Sequence, residues 1–174
     1  FDEFLVGVRG KLNAFRQKFV DMAWKIIDKD GNGVLEVDDI IGVYDASNHP
    51  DVMAGHKTER EVLADFIKGF EQGDGDGQAT KSEWDRYYAA ISASIDRDDY
   101  FELMMRNAWH ISGGKGWAEN TTCRRVLVTA ADGSQAVEEV KNDTGIEAEE
   151  DKIIQKLKAQ GVEAVDISFS GSYE

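Results

Sequence analysis

One cysteine, Cys123, and one proline, Pro50, stand in 174 residues. A lone cysteine cannot close an internal disulfide, so a reducing, cytoplasmic compartment is expected. Histidine is nearly as scarce, at three. None stands near Cys123 in sequence and none lies in residues 117–174, where neither a nucleophile–base pair nor a zinc ligand set can be read. No phosphate-cradling glycine loop is found there either, so the chain is not expected to be an enzyme. No apolar run approaches the ~20 residues that cross a bilayer. Positive charge is also short: 20 Lys and Arg face 34 Asp and Glu, for a formal net charge of −14. Such a chain repels the phosphates of nucleic acids and of anionic membranes, so neither is an expected partner. What it has instead is acid, with 41% hydrophobic residues, enough to build one large core or two small ones.

Periodicity organises the chain. Leu12, Phe15, Phe19, Val20, Met22, Ala23, Ile26 and Ile27 fall at helical spacing over residues 11–27. A Gly- and Asp-rich break follows at 28–33, then a short helix is expected over 37–44. Residues 45–57 read as a linker. Thr58 and Glu61 have capping-box spacing and open a helix striped by Val62, Leu63, Phe66, Ile67 and Phe70. A second break at 73–77 precedes helices expected over 81–91 and 97–109. Helix, acidic loop and helix thus occur twice within 11–109. Residues 110–120 read as a linker. Within 121–174 the β-branched run 124–129, the Asp132-Gly133 turn, the return run 136–140, a helix through Ile153 and Leu157 ending near Gly161, and the alternating run 162–169 read as strand, strand, helix, strand. The expected fold class is a mainly α pair of helix–loop–helix units followed by a small α/β module of ββαβ order.

The first break has the ligand pattern of an EF-hand calcium loop. Ca²⁺ takes six to eight oxygens at about 2.3–2.6 Å. Over residues 28–39, Asp28, Asp30 and Asn32 hold the first, third and fifth places, so alternate side chains turn inward. Gly33 permits the sharp turn at the sixth. The Val34 carbonyl serves the seventh, and Glu36 at the ninth acts directly or through water. Leu35, at the eighth, is expected to pair with a partner loop. Asp39 stands twelfth, where Glu is usual; one methylene shorter, it predicts weaker Ca²⁺ binding and relatively better Mg²⁺ binding. The plainer alternative is a solvated acidic turn with Asp39 as a first-turn acid.

The second loop is less regular. Counting back twelve from Glu83 puts Gln72 first, Asp74 third, Asp76 fifth, Gly77 sixth, Gln78 seventh and Thr80 ninth. Gln72 is neutral where Asp is normal, and Glu71 could replace it in a stretched loop. The alternative is a loop of the same shape that binds metal poorly and braces its partner, with Glu83 and Thr80 forming a capping box. On the last helix of this half, Met104, Met105 and Trp109 fit three uses: core packing, a target-binding groove, or insertion into the groove of the chain's own paired unit.

Residues 39–44, Asn48-His49-Pro50, 59–70, Asp76-Gly77-Gln78, Tyr87-Tyr88, 91–95, Met104-Met105 and Trp109 together resemble calcyphosine-like proteins. The resemblance covers roughly residues 1–109. It implies a four-hand calcium-binding protein, two hands of which precede Phe1. The start Phe1-Asp2-Glu3-Phe4-Leu5 fits this, reading as the last loop acid and exit helix (residues 1–10) of an earlier hand. Residues 117–174 are similar to the C-terminal extension of calcyphosine-like proteins of ciliated protists. That implies a structural or interaction component of the ciliary axoneme, bound to doublet microtubules, with tubulin or microtubule-associated proteins as partners. The competing expectation is a free calcium sensor that exposes a Met-rich groove.

Overall fold

The computed structural model describes residues 7, 11–41, 43, 46–47, 49–71, 75–118, 123–146 and 149–169. The expectations for Phe1-Asp2-Glu3-Phe4-Leu5, Tyr44, Gln72 and Asp74 lie outside the described residues. The chain divides into two compact units, Phe1–Met105 and Arg106–Glu174. About half of the described residues are helical, and they also form two small antiparallel sheets. Among the described residues no helix is long and apolar enough to cross a membrane.

In the first unit, helix α1 (Ala14–Ile27) starts where Asn13 Oδ1 accepts the Arg16 N–H at 2.8 Å. That cap satisfies a donor which would otherwise be orphaned in the first turn. The helix buries Phe19, Val20, Ala23, Trp24 and Ile27, the face that the periodicity predicts. Strand β1 (Val34–Leu35) and helix α2 (Val37–Ile40) follow. The expected linker carries a one-turn helix, α3 (Pro50–Met53), with His49 Nδ1 accepting the Asp51 N–H and Pro50 pre-set at the first helical position. Helix α4 (Glu59–Lys68) has the Thr58–Glu61 capping box: the Thr58 N–H donates to Glu61 Oε2 at 2.8 Å and the Glu61 N–H to Thr58 Oγ1 at 3.3 Å. Strand β2 (Ala79–Thr80) leads into α5 (Lys81–Ser94), and α6 (Asp98–Trp109) begins after a break at Ile95.

The core of this unit is aromatic. Trp84 is fully buried, stacks on Phe70 at 4.9 Å between ring centroids, and meets Trp24 edge-on at 5.6 Å. Its indole N–H donates to the Val20 carbonyl at 3.3 Å, so the polar end of the ring is satisfied inside the core. Arg16, also buried, ties three elements. Its guanidinium donates to the Ser92 carbonyl and Oγ, each at 2.8 Å, and to the Ile95 carbonyl at 3.0 Å. It also meets Asp98 at 2.6 Å and lies over the Phe101 ring. These bonds cap the carbonyls at the end of α5 and hold the start of α6.

In the second unit a three-stranded sheet has the order β4-β3-β5, every pair antiparallel, built from β3 (Arg125–Thr129), β4 (Gln135–Glu139) and β5 (Asp166–Phe169). Helix α7 (Glu150–Ala159) lies between β4 and β5 in sequence and covers one face of the sheet. Val126, Val128, Val140, Ile153, Leu157, Ala164 and Ile167 form the core. The element order is the expected ββαβ. The last strand is shorter than the alternation of residues 162–169 suggests: after Gly161, at φ +85°, the Val162 N–H returns to the Leu157 carbonyl, and bonding to β3 begins with the Val165 N–H on the Thr129 carbonyl.

Candidate metal centre

The two acidic loops are built to one pattern. In the first, Gly31 and Gly33 take φ +70° and +82°; in the second, Gly75 and Gly77 take +61° and +83°. These are left-handed backbone positions where a side chain would be strained. The Asn32 side chain accepts the Val34 N–H at 2.8 Å, and Asp76 accepts the Gln78 N–H at 2.9 Å, the same fifth-to-seventh contact. Asp39 accepts the Glu36 N–H at 2.9 Å, and Glu83 accepts the Thr80 N–H at 2.8 Å, the same twelfth-to-ninth contact. The loops meet through β1 and β2, with Leu35 opposite Ala79 and Val34 opposite Thr80. Leu35 is thus paired as an eighth position should be. The register places Ala79 of the second loop at the position of Leu35.

Asp28 is the most telling side chain of the first loop. Its Oδ2 accepts the Trp24 indole N–H at 2.9 Å and the Gly33 N–H at 3.3 Å. Its Oδ1 is buried and has no hydrogen-bond partner among the described residues. A buried carboxylate oxygen with no donor is costly unless a cation or other donor meets it. The other acids are turned to their own loop: Asp30 accepts the Asn32 N–H at 3.0 Å and the Asn32 amide at 2.9 Å, and Asp39 caps α2. Among the described residues, accordingly, no three Asp, Glu, His or Cys side chains converge on one point. The donor set remains the one a hard cation uses, with carboxylates, an amide oxygen and the Val34 carbonyl on one tight turn. These residues fit Ca²⁺.

In the second loop the described residues leave fewer acids. Asp76 is engaged by Gln78, and Glu83 is buried in its capping box, also accepting the Thr80 Oγ–H at 2.9 Å. Oε1 of Glu71 is buried without a partner among the described residues. The Gln78 amide reaches out of its own loop and donates to Glu36 Oε1 at 2.6 Å.

Met105 is fully buried, Trp109 is 8% exposed, and Met104 is half-buried. Two of these three residues therefore present no surface to a partner in this structure; with Phe101, also fully buried, Met105 serves as core.

Two residues around the first loop escaped the sequence reading. Trp24 stands four residues before Asp28, the spacing that stacks side chains on one helix face. That spacing was a usable signal. Gln78 gave none, because a seventh position contributes its carbonyl and tolerates many side chains. A third feature, in the second unit, was equally hidden. The His110 ring meets the buried Asp143 at 2.7 Å, and the Arg124 N–H donates to the other Asp143 oxygen at 2.9 Å. Burial works against the charge of Asp143, yet the His110 ring and the Arg124 N–H hold its carboxyl below the ordinary carboxylate range.

No family model matches the chain. It is 41% identical over 110 residues to crustacean calcium-binding protein 23 of Faxonius limosus, an overlap of 63% of this chain and 54% of that protein. It is 43% identical over 74 residues to the protein of the same name from Homarus americanus, which covers 42% of this chain and 51% of the relative. The chain spans about half the length of the curated relatives it matches.

Proposed function

We propose that this chain is a calcium-binding protein of the EF-hand type, with Ca²⁺ held in the loop of residues 28–39. Asp28, Asp30, Asn32, Glu36, Asp39 and the Val34 carbonyl would hold the ion. The observation that carries the reading is the buried Oδ1 of Asp28, with no hydrogen-bond partner among the described residues, at the first place of a loop whose sixth residue is Gly33 at φ +82°. The names of the two crustacean relatives support it. Asp39 is short for a twelfth ligand and already caps the Glu36 N–H, so an ion must displace that bond. Modest affinity and appreciable Mg²⁺ competition follow. The second loop, with Gln72 first and Glu83 committed to its cap, is assigned a bracing role.

Calorimetric titration of the chain with Ca²⁺ in millimolar Mg²⁺ tests this. One calcium site is expected. No calcium heat above the Mg²⁺ background would overturn the reading, and two sites would overturn the bracing role of the second loop.

The calcyphosine-like resemblance carries the finer reading: an interaction component of the ciliary axoneme, seated on doublet microtubules or their associated proteins. At a net charge of −14, contact with the acidic tubulin surface would rest on shape or on a basic partner. Immunoblotting of demembranated axonemes should then find the protein retained through a high-salt wash; complete release into the low-salt extract would sink the assignment. The free-sensor alternative requires Phe101 and Met105, buried here, to become exposed when Ca²⁺ binds, and a Ca²⁺-dependent gain in hydrophobic dye binding would support it.

A further inference from the structure

We infer that Gln78 of the second loop is a positioning residue for the ion held by the first. The inference rests on the reading of residues 28–39 as a calcium loop. The Gln78 side-chain amide donates to Glu36 Oε1 at 2.6 Å, across the ladder in which Leu35 faces Ala79. Glu36 is the ninth-place carboxylate of the first loop; its side chain also accepts the Asp39 N–H in the capping box of α2, so the Gln78 amide is a second donor that fixes how this carboxylate faces the loop. Outer-sphere hydrogen bonds of this kind orient a ligating carboxylate and spare the ion the entropy of ordering it.

At these two positions the exchange is unequal. The residue of the first loop that corresponds to Gln78 is Val34, which has no side-chain donor. The residue of the second loop that corresponds to Glu36 is Thr80, whose hydroxyl is engaged on Glu83 at 2.9 Å. Among the described residues, position 78 therefore gives a side chain to the first loop and position 34 gives none back, which suits a brace beside a working site. The chemistry of the donor matters as well. An amide holds Glu36 by an N–H without adding positive charge beside the cation, whereas a lysine at position 78 would grip the carboxylate and repel the ion.

The test is a double-mutant cycle read by calcium titration of the full chain. Gln78→Met keeps the length of the side chain and removes the donor. In the parent background it should weaken Ca²⁺ binding by about 10-fold, the usual scale for loss of an outer-sphere partner. In a Glu36→Ala background it should cost less than about 2-fold, because the group it positions is gone. Unchanged affinity in Gln78→Met would overturn the inference. An equal loss in both backgrounds would also overturn it, because the role of Gln78 would then be general bracing of the loop pair. Should Gln78→Met fail to fold, Gln78→Asn, one methylene too short to reach Glu36, gives the same two readings. A parent chain that binds no Ca²⁺ overturns the calcium-loop reading and this inference together; a parent that binds normally with an unaffected Gln78→Met overturns this inference alone.

Discussion

Replacing Asp28 by alanine is expected to weaken calcium binding by about 100-fold or more, because it removes a carboxylate proposed to touch the ion, where loss of an outer-sphere partner alone costs about 10–100-fold. Asp28 enters the loop from the last turn of α1, held by the Trp24 indole and the Gly33 N–H, and its Oδ1 has no donor among the described residues. In the absence of Ca²⁺ the substitution has opposing effects. It relieves the cost of burying that oxygen, and it leaves the Trp24 and Gly33 donors unpaired. The two are of similar size, each within about 1–3 kcal/mol, so the calcium-free stability should change little. The large effect is confined to the calcium-loaded protein. At a calcium concentration of 100 times the parent Kd, the parent gains about 2.7 kcal/mol from the ion, and Asp28→Ala should gain no more than about 0.4 kcal/mol. Urea titrations with Ca²⁺ and with chelator, on both proteins, measure the four quantities. An Asp28→Ala protein that still shifts its midpoint with Ca²⁺ as far as the parent does would place the ion elsewhere. Glu83→Gln should keep the full calcium shift if the second loop only braces.

How much of this could be read beforehand depended on whether the signal was local. The ligands of the first loop stand at alternate positions around an obligatory glycine, so side-chain chemistry and backbone geometry agree within a dozen residues. The Thr58–Glu61 and Thr80–Glu83 capping boxes are of the same local kind. The helix Pro50–Met53 was equally local and was passed over: His49, Pro50 and Asp51 are a cap, a preformed first residue and a first-turn acid, but their neighbours are typical of loops. Met105 and Phe101 lie on a stripe that a core and a target groove share, and only burial separates the two uses. The Arg16 clasp on Ser92, Ile95 and Asp98, the Gln78–Glu36 bond and the His110–Asp143 pair join residues 33 to 82 positions apart. No periodicity or spacing encodes such contacts, because they exist only once the elements have been brought together.

The His110–Asp143 pair carries the second large effect. The carboxylate of Asp143 gathers three parts of the second unit: the segment after α6 through the His110 ring, the start of β3 through the Arg124 N–H, and its own turn after β4. Neighbours reinforce the joint, with the Thr144 hydroxyl donating to the Trp109 carbonyl at 2.8 Å and the Ser112 N–H to Asn142 Oδ1 at 3.0 Å. His110 itself takes φ +50°, an uncommon conformation for a residue other than glycine. Asp143→Ala removes a buried charged acceptor of two hydrogen bonds, each worth about 1.5–3 kcal/mol, and the second unit should lose about 3 kcal/mol at neutral pH. The pH dependence follows from the direction of the shift. The folded-state pKa of Asp143 lies below its ordinary value of 3.8, so the carboxylate contributes its full stability above that value. The contribution falls away as pH drops through the lower, folded-state pKa. The gap between parent and Asp143→Ala should therefore close as pH falls below about 4. Amide hydrogen exchange at Val126, Val128 and Ile167, which lie in the core of that sheet, reports the gap for this unit alone. Equal protection of those amides in both proteins at pH 7 would show that Asp143 does not hold the unit together; a gap that persisted undiminished well below pH 4 would show that it does so without its charge.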